Sequence, residues 1–268
     1  MQSDVMDGCN VIVTGGSSGL GSAISREVAV LGAKNVIINY ANNREAALAS
    51  AESVSAAGAT VHLVQGDIGA PVTAVEIAKI AASLGHIDVL FNNAGITTFT
   101  ESMGDLDALS SDDFLDIYRV NVVGAFQMIR AVRSLLEACP SGCGSVVNTA
   151  SLAGVAGIGS SMAYASSKGA LITLTLSLAR ALAPAIRVNA VCPGFMDTPW
   201  FGKGMTDDAV AAMRQRVKAA APLKVISSAA DIAAAAVFLG STQASHITGE
   251  TLLVDAGAHL NLTPMAMR

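Results

Sequence analysis

The chain has 268 residues, of which 52% are hydrophobic and only 14% are charged, and it contains four cysteines. This composition excludes a disordered chain, which would be poor in apolar residues, and a small secreted domain stapled by disulfides. The net charge is −5 and the basic residues form no stripe, which argues against nucleic-acid binding. The charged fraction lies below the roughly 25% of soluble domains, so a membrane protein has to be considered first.

The segment 138–167 has no charged side chain and is long enough to cross a bilayer. It contains Pro140, Asn148 and several glycines and serines, whereas a spanning helix needs about 20 continuous apolar residues. The first ten residues show no basic stretch followed by an apolar one, so no signal peptide is predicted. We therefore expect a cytoplasmic protein that has neither a membrane nor a nucleic acid as partner.

Short β-branched runs alternate with segments of helical spacing along the whole chain. The predicted strands are 11–13, 36–38, 61–64, 87–91, 145–148, 186–191 and 251–254. The predicted helices are 19–31, 44–57, 75–84, 112–138, 162–183 and 229–239, with a short helical stretch at 207–217. Ser111 or Asp112 is the expected N-cap of the helix 112–138.

The predicted strands are apolar throughout rather than at every second residue, which indicates a parallel sheet covered by helices on both faces. Seven strands without a linker predict one Rossmann-type, doubly wound α/β domain over residues 1–268. The segment 195–226 is the least regular part, with two prolines and two glycines. Because long irregular loops in compact domains are usually functional, we expect this segment to form a lid over the substrate.

The first predicted strand leads into a Gly-rich sequence, TGGSSGLG, at 14–21. Glycines allow the backbone to approach a pyrophosphate, and the helix that follows offers free N–H groups and its positive dipole end. The spacing differs from GxGxxG, and a plain Gly-rich turn is the alternative. The strand–turn–helix context favours a nucleotide site, whose expected contacts are Gly15, Ser17, Ser18, Gly19, Leu20 and Gly21.

Three polar residues follow the fifth predicted strand at a notable spacing. Ser151 comes directly after that strand, and Tyr164 and Lys168 form a YxxxK pair on the next helix. Residues four apart lie on one face of a helix. The topology places all three beside a ligand at the carboxyl ends of the strands.

Together with NNAG at 92–95, these motifs resemble the short-chain dehydrogenase/reductase family in its single-domain form. The resemblance covers nearly the whole chain and is strongest to 3-oxoacyl-thioester reductases. It further rests on Asp67, on Asn121, on Pro193-Gly194 with Thr198, and on the terminal ITGETLLVDAG. The family suggests an enzyme that uses NAD or NADP to reduce a ketone or to oxidise the secondary alcohol.

Hydride transfer to a ketone leaves an alkoxide that needs a proton, and the resemblance makes Tyr164 the acid/base. A free tyrosine has a pKa near 10, which we expect Lys168 and the positive nicotinamide ring to lower. Ser151 would polarise the substrate oxygen by a hydrogen bond. The family further implies that Lys168 holds the nicotinamide ribose and that Asn121 holds a water in a proton relay. A polar residue that bends its helix is the alternative for Asn121.

The resemblance also implies cofactor contacts at the ends of several strands. Asp67 would contact the adenine amino group, Asn93 and Gly95 the adenine-ribose side, and Thr198 the carboxamide or diphosphate. Each of these residues has an ordinary turn position as its alternative. The remaining expected contacts are Tyr40, Arg44, Ile68, Ala94, Pro193 and Gly194, besides Tyr164 and Lys168 themselves.

The end of the second predicted strand bears on the choice between NAD and NADP. Enzymes of this fold that use NAD usually place a carboxylate there, whereas this chain has none before Glu45. Arg44 is placed to pair with the 2′-phosphate of NADP. Against this, Ser18 stands where many relatives that use NADP carry a basic residue, and Arg44 also fits a solvated position. We favour NADP.

The sequence predicts a reductase of 3-oxoacyl compounds or related ketones. The alternatives are an NAD-linked secondary alcohol, sugar or steroid dehydrogenase, and a cofactor-binding scaffold without catalysis. The bulky residues Phe99, Trp200 and Phe201 suggest an apolar substrate wall, but Asp105 and Asp107 leave its character open. The methionines around the lid, Met196, Met205 and Met213, are candidates for contact with an apolar substrate, with ordinary core packing as the alternative. The four cysteines and four histidines form no ligand cluster, so no metal site is expected.

The low charge of two long predicted helices points to an assembly. Between 163 and 179, Lys168 is the only charged residue, and it belongs to the expected active site. A helix that is apolar on most sides must be buried on most sides. The resemblance implies a homotetramer formed through the helices 112–138 and 162–183 and the C-terminal strand.

Overall fold

The computed structural model describes residues 5–198, 200 and 206–261. Its parallel strands form one seven-stranded sheet in the order β3-β2-β1-β4-β5-β6-β7. The strands are β1 (Asn10–Val13), β2 (Asn35–Tyr40), β3 (Thr60–Gln65), β4 (Val89–Asn92), β5 (Gly144–Thr149), β6 (Ile186–Pro193) and β7 (Thr251–Val254). The predicted doubly wound α/β sheet is confirmed.

Helices cover both faces of this sheet. In the described ranges they are α1 (Gly19–Val30), α2 (Arg44–Ala56), α3 (Pro71–Ser83), α4 (Ser111–Tyr118), α5 (Ala125–Glu137), α6 (Leu152–Ala156), α7 (Met162–Leu182), α8 (Asp207–Ala220) and α9 (Ala229–Gly240). In β1, Val11 and Val13 face a core that includes side chains of α1 and α9. Ile12, between them, faces a second core with side chains of α3 and α5. Burial on both faces explains why the strand is apolar at every position.

The strand order creates a crevice beside β1. Val11 pairs with Val36 of β2 on one side and with Val89 of β4 on the other. The chain therefore runs outward to β3 and then returns to build the other half of the sheet from β4. The loops after β1 and β4 meet at this reversal, which is where doubly wound sheets bind their ligands.

The predicted helix 112–138 is interrupted in the structure. The chain forms α4, then a π-helical turn over Arg119–Gly124, and then α5. The N-cap is Ser110, which forms a capping box with Asp113, and not Ser111 or Asp112. The side chain of Asn121, within the turn, is bonded to parts of the chain outside it. Single π turns inside α-helices occur frequently at functional sites.

Other elements also differ from the sequence prediction. The helix predicted to begin at 75 begins at Pro71, since proline is well tolerated at the first helical position. The five-residue helix α6 was not predicted, and β6 continues through Pro193.

As for membrane insertion, no helix in the described residues has the length and apolarity that a bilayer span requires.

Candidate active site

The Gly-rich loop after β1 packs tightly against the loop after β4. Gly15 has a φ of +63°, and a Cβ built on it would lie 2.9 Å from the Cα of Ala94. Gly19 has a φ of +53°, a conformation that L side chains rarely adopt. A Cβ at Gly21 would collide with the carbonyl oxygen of Gly15. Gly15 and Gly21 are therefore required by the close approach of neighbouring atoms, and Gly19 is required by its positive φ.

Thr14 joins these two loops, although the sequence analysis did not assign it a role. Its Oγ1 accepts hydrogen bonds from the backbone N–H of Asn93 (3.0 Å) and of Ala94 (3.1 Å). In return, the Asn93 amide donates to the carbonyl oxygens of Thr14 and Gly15, both at 3.2 Å. The side chain of Asn93 thus braces the Gly-rich loop. In the sequence, only the position of Thr14 immediately before the first glycine could have indicated this role.

The start of α1 suits an anionic group such as a pyrophosphate. Ser18 is the N-cap, but its side chain makes no capping hydrogen bond, and the first turn of α1 has no acidic residue. Thr198 reaches this turn from the other side of the crevice, with its Cβ 3.9 Å from the Cβ position of Gly19. Leu20 is buried, whereas Ser17 and Ser18 reach the surface. The residues present fit the diphosphate of a dinucleotide held by backbone N–H groups and the helix dipole.

The end of β2 carries polar but uncharged side chains. Tyr40 is buried with its hydroxyl 3.5 Å from Gln65 Oε1, and Asn39 Oδ1 accepts from the N–H of Gly15 at 3.4 Å. Arg44 opens α2 and is exposed. Within the described ranges, no carboxylate forms an ion pair with Arg44. Its guanidinium is therefore available to a phosphate at this edge.

Asp67, after β3, has a partner that the sequence did not reveal. Its Oδ2 lies 2.7 Å from Arg119 Nη1, and its Oδ1 accepts from the N–H of Gly69 at 2.8 Å. Burial raises the pKa of Asp67, but these hydrogen bonds outweigh burial and hold the pKa below its ordinary value. The neighbouring Ile68 is buried against Gly124 of the π turn. Arg119 thus fixes the carboxylate at the crevice edge.

The structure brings the three residues after β5 together. Ser151 caps α6, and its side chain is hydrogen-bonded with that of Tyr164 on α7. Lys168, one turn further along α7, donates from Nζ to the carbonyl oxygen of Thr149 at 2.6 Å. The same Nζ lies 5.7 Å from the centroid of the Tyr164 ring. All three side chains stand at the carboxyl end of β5, as predicted from their spacing.

Burial dominates the ionisation of this group. It raises the pKa of Tyr164 to about 12, although the hydrogen bond with Ser151 lowers it in part. In the protein alone, desolvation of the phenolate is therefore the larger effect, and the expected lowering by Lys168 together with the positive nicotinamide ring, which concerns the cofactor-bound enzyme, stays a prediction. Burial lowers the pKa of Lys168 to about 8. Near neutral pH, the phenol is protonated and the lysine is mostly charged.

Asn121 connects the cofactor side of the crevice with α7. Its Oδ1 accepts from the N–H of Ile96 at 2.8 Å, and its Nδ2 donates to the Ile96 carbonyl at 3.0 Å. Nδ2 also donates to Ser167 Oγ at 3.0 Å, and this hydroxyl donates to the Tyr164 carbonyl at 2.7 Å. A Cβ on Gly95 would lie within 3.4 Å of both Asn121 Oδ1 and Lys168 Nζ. Asn121 thus lies beside the lysine, and its side chain fixes the backbone around Tyr164.

Cys192 is a further member of the site that the sequence analysis passed over. It lies in β6, next to β5, and is fully buried. Its sulfur accepts a hydrogen bond from the backbone N–H of Ser151, and burial raises its pKa to about 11. A thiol with a raised pKa is not an activated nucleophile. Its contacts indicate that it supports the backbone of Ser151.

The end of β6 continues into the same crevice. Pro193 is the last residue of the strand, and the N–H of Gly194 donates to the Val254 carbonyl at 3.1 Å. A Cβ on Gly194 would lie 2.6 Å from the Cβ of Asp255, so only glycine fits here. The buried Asp255 carboxylate in turn holds the N–H groups of Gly257 and His259. Pro193 and Gly194 therefore belong to the rigid frame behind Thr198.

The substrate side is described in part. The ring of Trp200 lies 6.1 Å from that of Tyr164, centroid to centroid, at an interplanar angle of 50°. Met196 packs against the core rather than standing free, which is against a substrate contact for that residue. Phe201 and Met205 lie outside the described residues. Throughout the described ranges, no three His, Cys, Asp or Glu side chains are grouped to hold a metal.

Comparison with known proteins assigns the family. Residues 15–259 match the family model described as enoyl-(acyl carrier protein) reductase. The chain belongs to the short-chain dehydrogenase/reductase family. It is similar to a protein of Streptomyces violaceoruber assigned as a ketoacyl reductase of the granaticin polyketide synthase, with 36% identity over 97% of this chain and 100% of that protein.

Two further similarities place the chain among the short-chain dehydrogenases/reductases. The 3beta-hydroxysteroid dehydrogenase 1 of Eggerthella lenta is 34% identical, over 96% of both chains. A crystal structure described as a short-chain dehydrogenase/reductase from Burkholderia xenovorans superposes with a TM-score of 0.85 at 38% identity, over 94% of this chain and 98% of that one. The family expected from the motifs, and its resemblance to ketoacyl reductases, are confirmed.

Proposed function

We propose that this short-chain dehydrogenase/reductase is an NADP-dependent ketone reductase that acts on 3-oxoacyl or related ketones. The observation that carries the proposal is the Ser151–Tyr164–Lys168 group, assembled at the end of β5 beside a Gly-rich crevice. The bound dinucleotide supplies a hydride to the carbonyl carbon. The relatives named as a ketoacyl reductase and a hydroxysteroid dehydrogenase support the same chemistry.

The proposed roles follow from the positions of the side chains. Tyr164 donates its phenolic proton to the developing alkoxide, and its raised pKa keeps that proton in place at neutral pH. Ser151 hydrogen-bonds the substrate oxygen and orients the phenol. Lys168 presents a positive charge behind the tyrosine and holds the ribose hydroxyls. Asn121 positions the chain beside Lys168, where the proposed water of the relay would stand.

For the cofactor, the crevice offers a backbone cradle, and we propose NADP over NAD. Support comes from the exposed Arg44 and from the absence of a carboxylate among residues 39–44. We propose the cofactor contacts that the motifs predict. Asp67 and Ile68 contribute at the adenine side, Asn93 to Gly95 at the ribose side, and Thr198 near the diphosphate.

The second candidate function is an NAD-linked dehydrogenase of a secondary alcohol, sugar or steroid. The steroid dehydrogenase relative favours it, since its similarity covers nearly the whole chain. A catalytically inactive scaffold is disfavoured by the intact group around Tyr164. The proposal further includes one domain over 1–268, a substrate lid at 195–226, a cytoplasmic location and a homotetramer.

One experiment tests the function. We expect NADPH to bind more tightly than NADH in a titration followed by nicotinamide fluorescence. We also expect the wild type to oxidise NADPH with at least one member of a ketone panel. Tyr164→Phe should retain cofactor binding and lose turnover by about 10²-fold or more, since proton transfer by a positioned group contributes 10²–10⁴-fold. Failure to bind either cofactor contradicts the proposal, and binding without turnover in the wild type favours the scaffold.

A further inference from the structure

The wall of the active site between Ser151 and Tyr164 is apolar and open to solvent. Val155 and Ile158 are 50% and 40% exposed, and Met162 is likewise exposed two residues before Tyr164. The stretch 138–167 contains no charged side chain. With Trp200 beside the Tyr164 ring, these side chains form the surface that a substrate meets next to the proton donor.

The segment after β4 is hydrogen-bonded to this wall. Thr97 Oγ1 lies 2.6 Å from Ser160 Oγ, and the N–H of Thr100 donates to the Ser160 carbonyl at 3.0 Å. Ser160 itself stands four residues before Tyr164. Ile96, just before this contact, is exposed and apolar. The 155–162 wall and the loop that begins at residue 96 are therefore joined into one continuous border of the entrance.

That loop continues into the most acidic part of the chain. Residues 97–118 hold six carboxylates and neither lysine nor arginine, while the whole chain has a net charge of only −5. The remainder of the chain is therefore close to neutral. Glu101, Asp105 and Asp107 are exposed and follow directly on Thr100, the residue bonded to Ser160. Asp116, further along, is paired with Arg119, whereas no ion pair in the described ranges involves Glu101, Asp105 or Asp107. The uncompensated negative charge of this border of the entrance, its acidic rim, therefore rests on these three carboxylates.

We propose that this entrance selects neutral, bulky, apolar ketones and rejects anionic carbonyl compounds, including thioesters of coenzyme A with their phosphate groups. The inference rests on the proposed ketone reductase function and narrows its substrate class. The apolar wall stabilises an apolar substrate by removing apolar surface from water. The acidic rim repels an anion as it approaches, and this repulsion weakens as salt screens it.

The test compares two thioesters that share one reacting ketone. Acetoacetyl-N-acetylcysteamine is neutral, whereas acetoacetyl-coenzyme A adds phosphates far from the carbonyl. With saturating NADPH and low salt, we expect kcat/KM to be at least about tenfold higher for the neutral thioester. Raising the ionic strength from about 0.02 to about 0.3 M should narrow this ratio severalfold, because the Debye length falls below about 10 Å.

Charge variants assign the effect to the rim. In the double variant Asp105→Asn/Asp107→Asn, kcat/KM for the coenzyme A thioester should rise severalfold, with that for the neutral thioester unchanged. The matched control Glu52→Gln/Glu76→Gln removes the same charge from exposed positions on α2 and α3 and should leave both values unchanged. For the apolar wall, Trp200→Ala should lower kcat/KM for 2-decalone at least about tenfold more than it lowers kcat/KM for acetone.

The outcomes separate this inference from the proposed function. Oxidation of NADPH with neither thioester and with no ketone contradicts the ketone reductase itself. Equal kcat/KM values for the two thioesters, without salt dependence, overturn the substrate selection and leave the reductase in place. The substrate selection is also overturned if the Asp105/Asp107 variant and the Glu52/Glu76 control give the same kcat/KM for the coenzyme A thioester.

Discussion

At the scale of single residues, the site keeps a neutral proton donor next to a cation. Burial holds the pKa of Tyr164 at about 12 and that of Lys168 at about 8. A phenol that stays protonated at neutral pH suits the reductive direction, in which a proton must be delivered to an alkoxide. Lys168 donates a hydrogen bond to the carbonyl of Thr149, and burial is the main cause of its lowered pKa.

The lowered pKa of Lys168 makes stability depend on pH. Between pH 8 and about 10.4, the folded chain has released the lysine proton whereas the unfolded chain still holds it. The free energy of unfolding should therefore rise with pH in this window, relative to Lys168→Met, which lacks the titrating group. Urea denaturation of both proteins at several pH values measures the difference. A difference that stays constant from pH 8 to 10 contradicts the lowered pKa.

Some residues of the site could be predicted from the sequence, and others could not. Ser151, Tyr164 and Lys168 were found because two of them lie four apart on one helix and the third ends a strand. Cys192 and Arg119 were not found, because each acts on a residue more than forty positions away in the chain. Only the order of the strands in the sheet makes such pairs neighbours.

At the scale of elements, the strands were predictable because burial on both faces leaves continuous apolar runs. The break between α4 and α5 was not, since residues 112–138 keep helical spacing throughout. The π turn is accompanied by hydrogen bonds from Asn121 to Ile96 and Ser167, which are distant in sequence. The helix α6, with five residues, is too short to show a periodic pattern.

The C-terminal end of α9 depends on a buried arginine from β6. Arg187 donates to the carbonyl oxygens of Leu239 and Ser241 at 3.0 and 2.9 Å, and also to those of Gly240 and Ile247. Arg187→Met leaves these buried acceptors without their donor. We expect the free energy of unfolding to fall by about 3 kcal/mol.

Chemical denaturation measures this loss, with Arg133→Met as the control. Arg133 is exposed and pairs with Glu137 on the surface of α5, so its removal should cost less than about 1 kcal/mol. Comparable losses in the two variants would show that the contacts of Arg187 with the end of α9 do not stabilise the fold.

At the scale of the whole molecule, the low charge is only partly explained by the sheet. Large apolar side chains remain exposed on α4, the π turn, α5 and α7, namely Phe114, Leu115, Val123, Phe126 and Leu176. The π turn contacts all three of these helices, and apolar surface left exposed on neighbouring elements is typical of subunit interfaces. It supports the proposed homotetramer, in which these helices would be covered by other copies of the chain.

Sedimentation velocity tests the assembly. The wild type should sediment as a tetramer, and the double variant Leu115→Asp/Phe126→Asp should sediment as a smaller species, because each charge would be buried unpaired. Leu48→Asp, at an exposed position on α2, should remain tetrameric. A monomeric wild type would contradict the tetramer and leave the charged fraction of 14% without an explanation.

The most direct measurement follows the transferred hydride itself. Wild-type protein is incubated with NADPH carrying deuterium at both C4 positions and with a neutral ketone that the panel shows to be a substrate. We expect mass spectrometry to show one deuterium on the carbinol carbon of the product. Tyr164→Phe should form at least about 10²-fold less labelled product than the wild type. An alcohol without deuterium, or equal labelling by the two proteins, would contradict hydride transfer from the nicotinamide with Tyr164 as the proton donor.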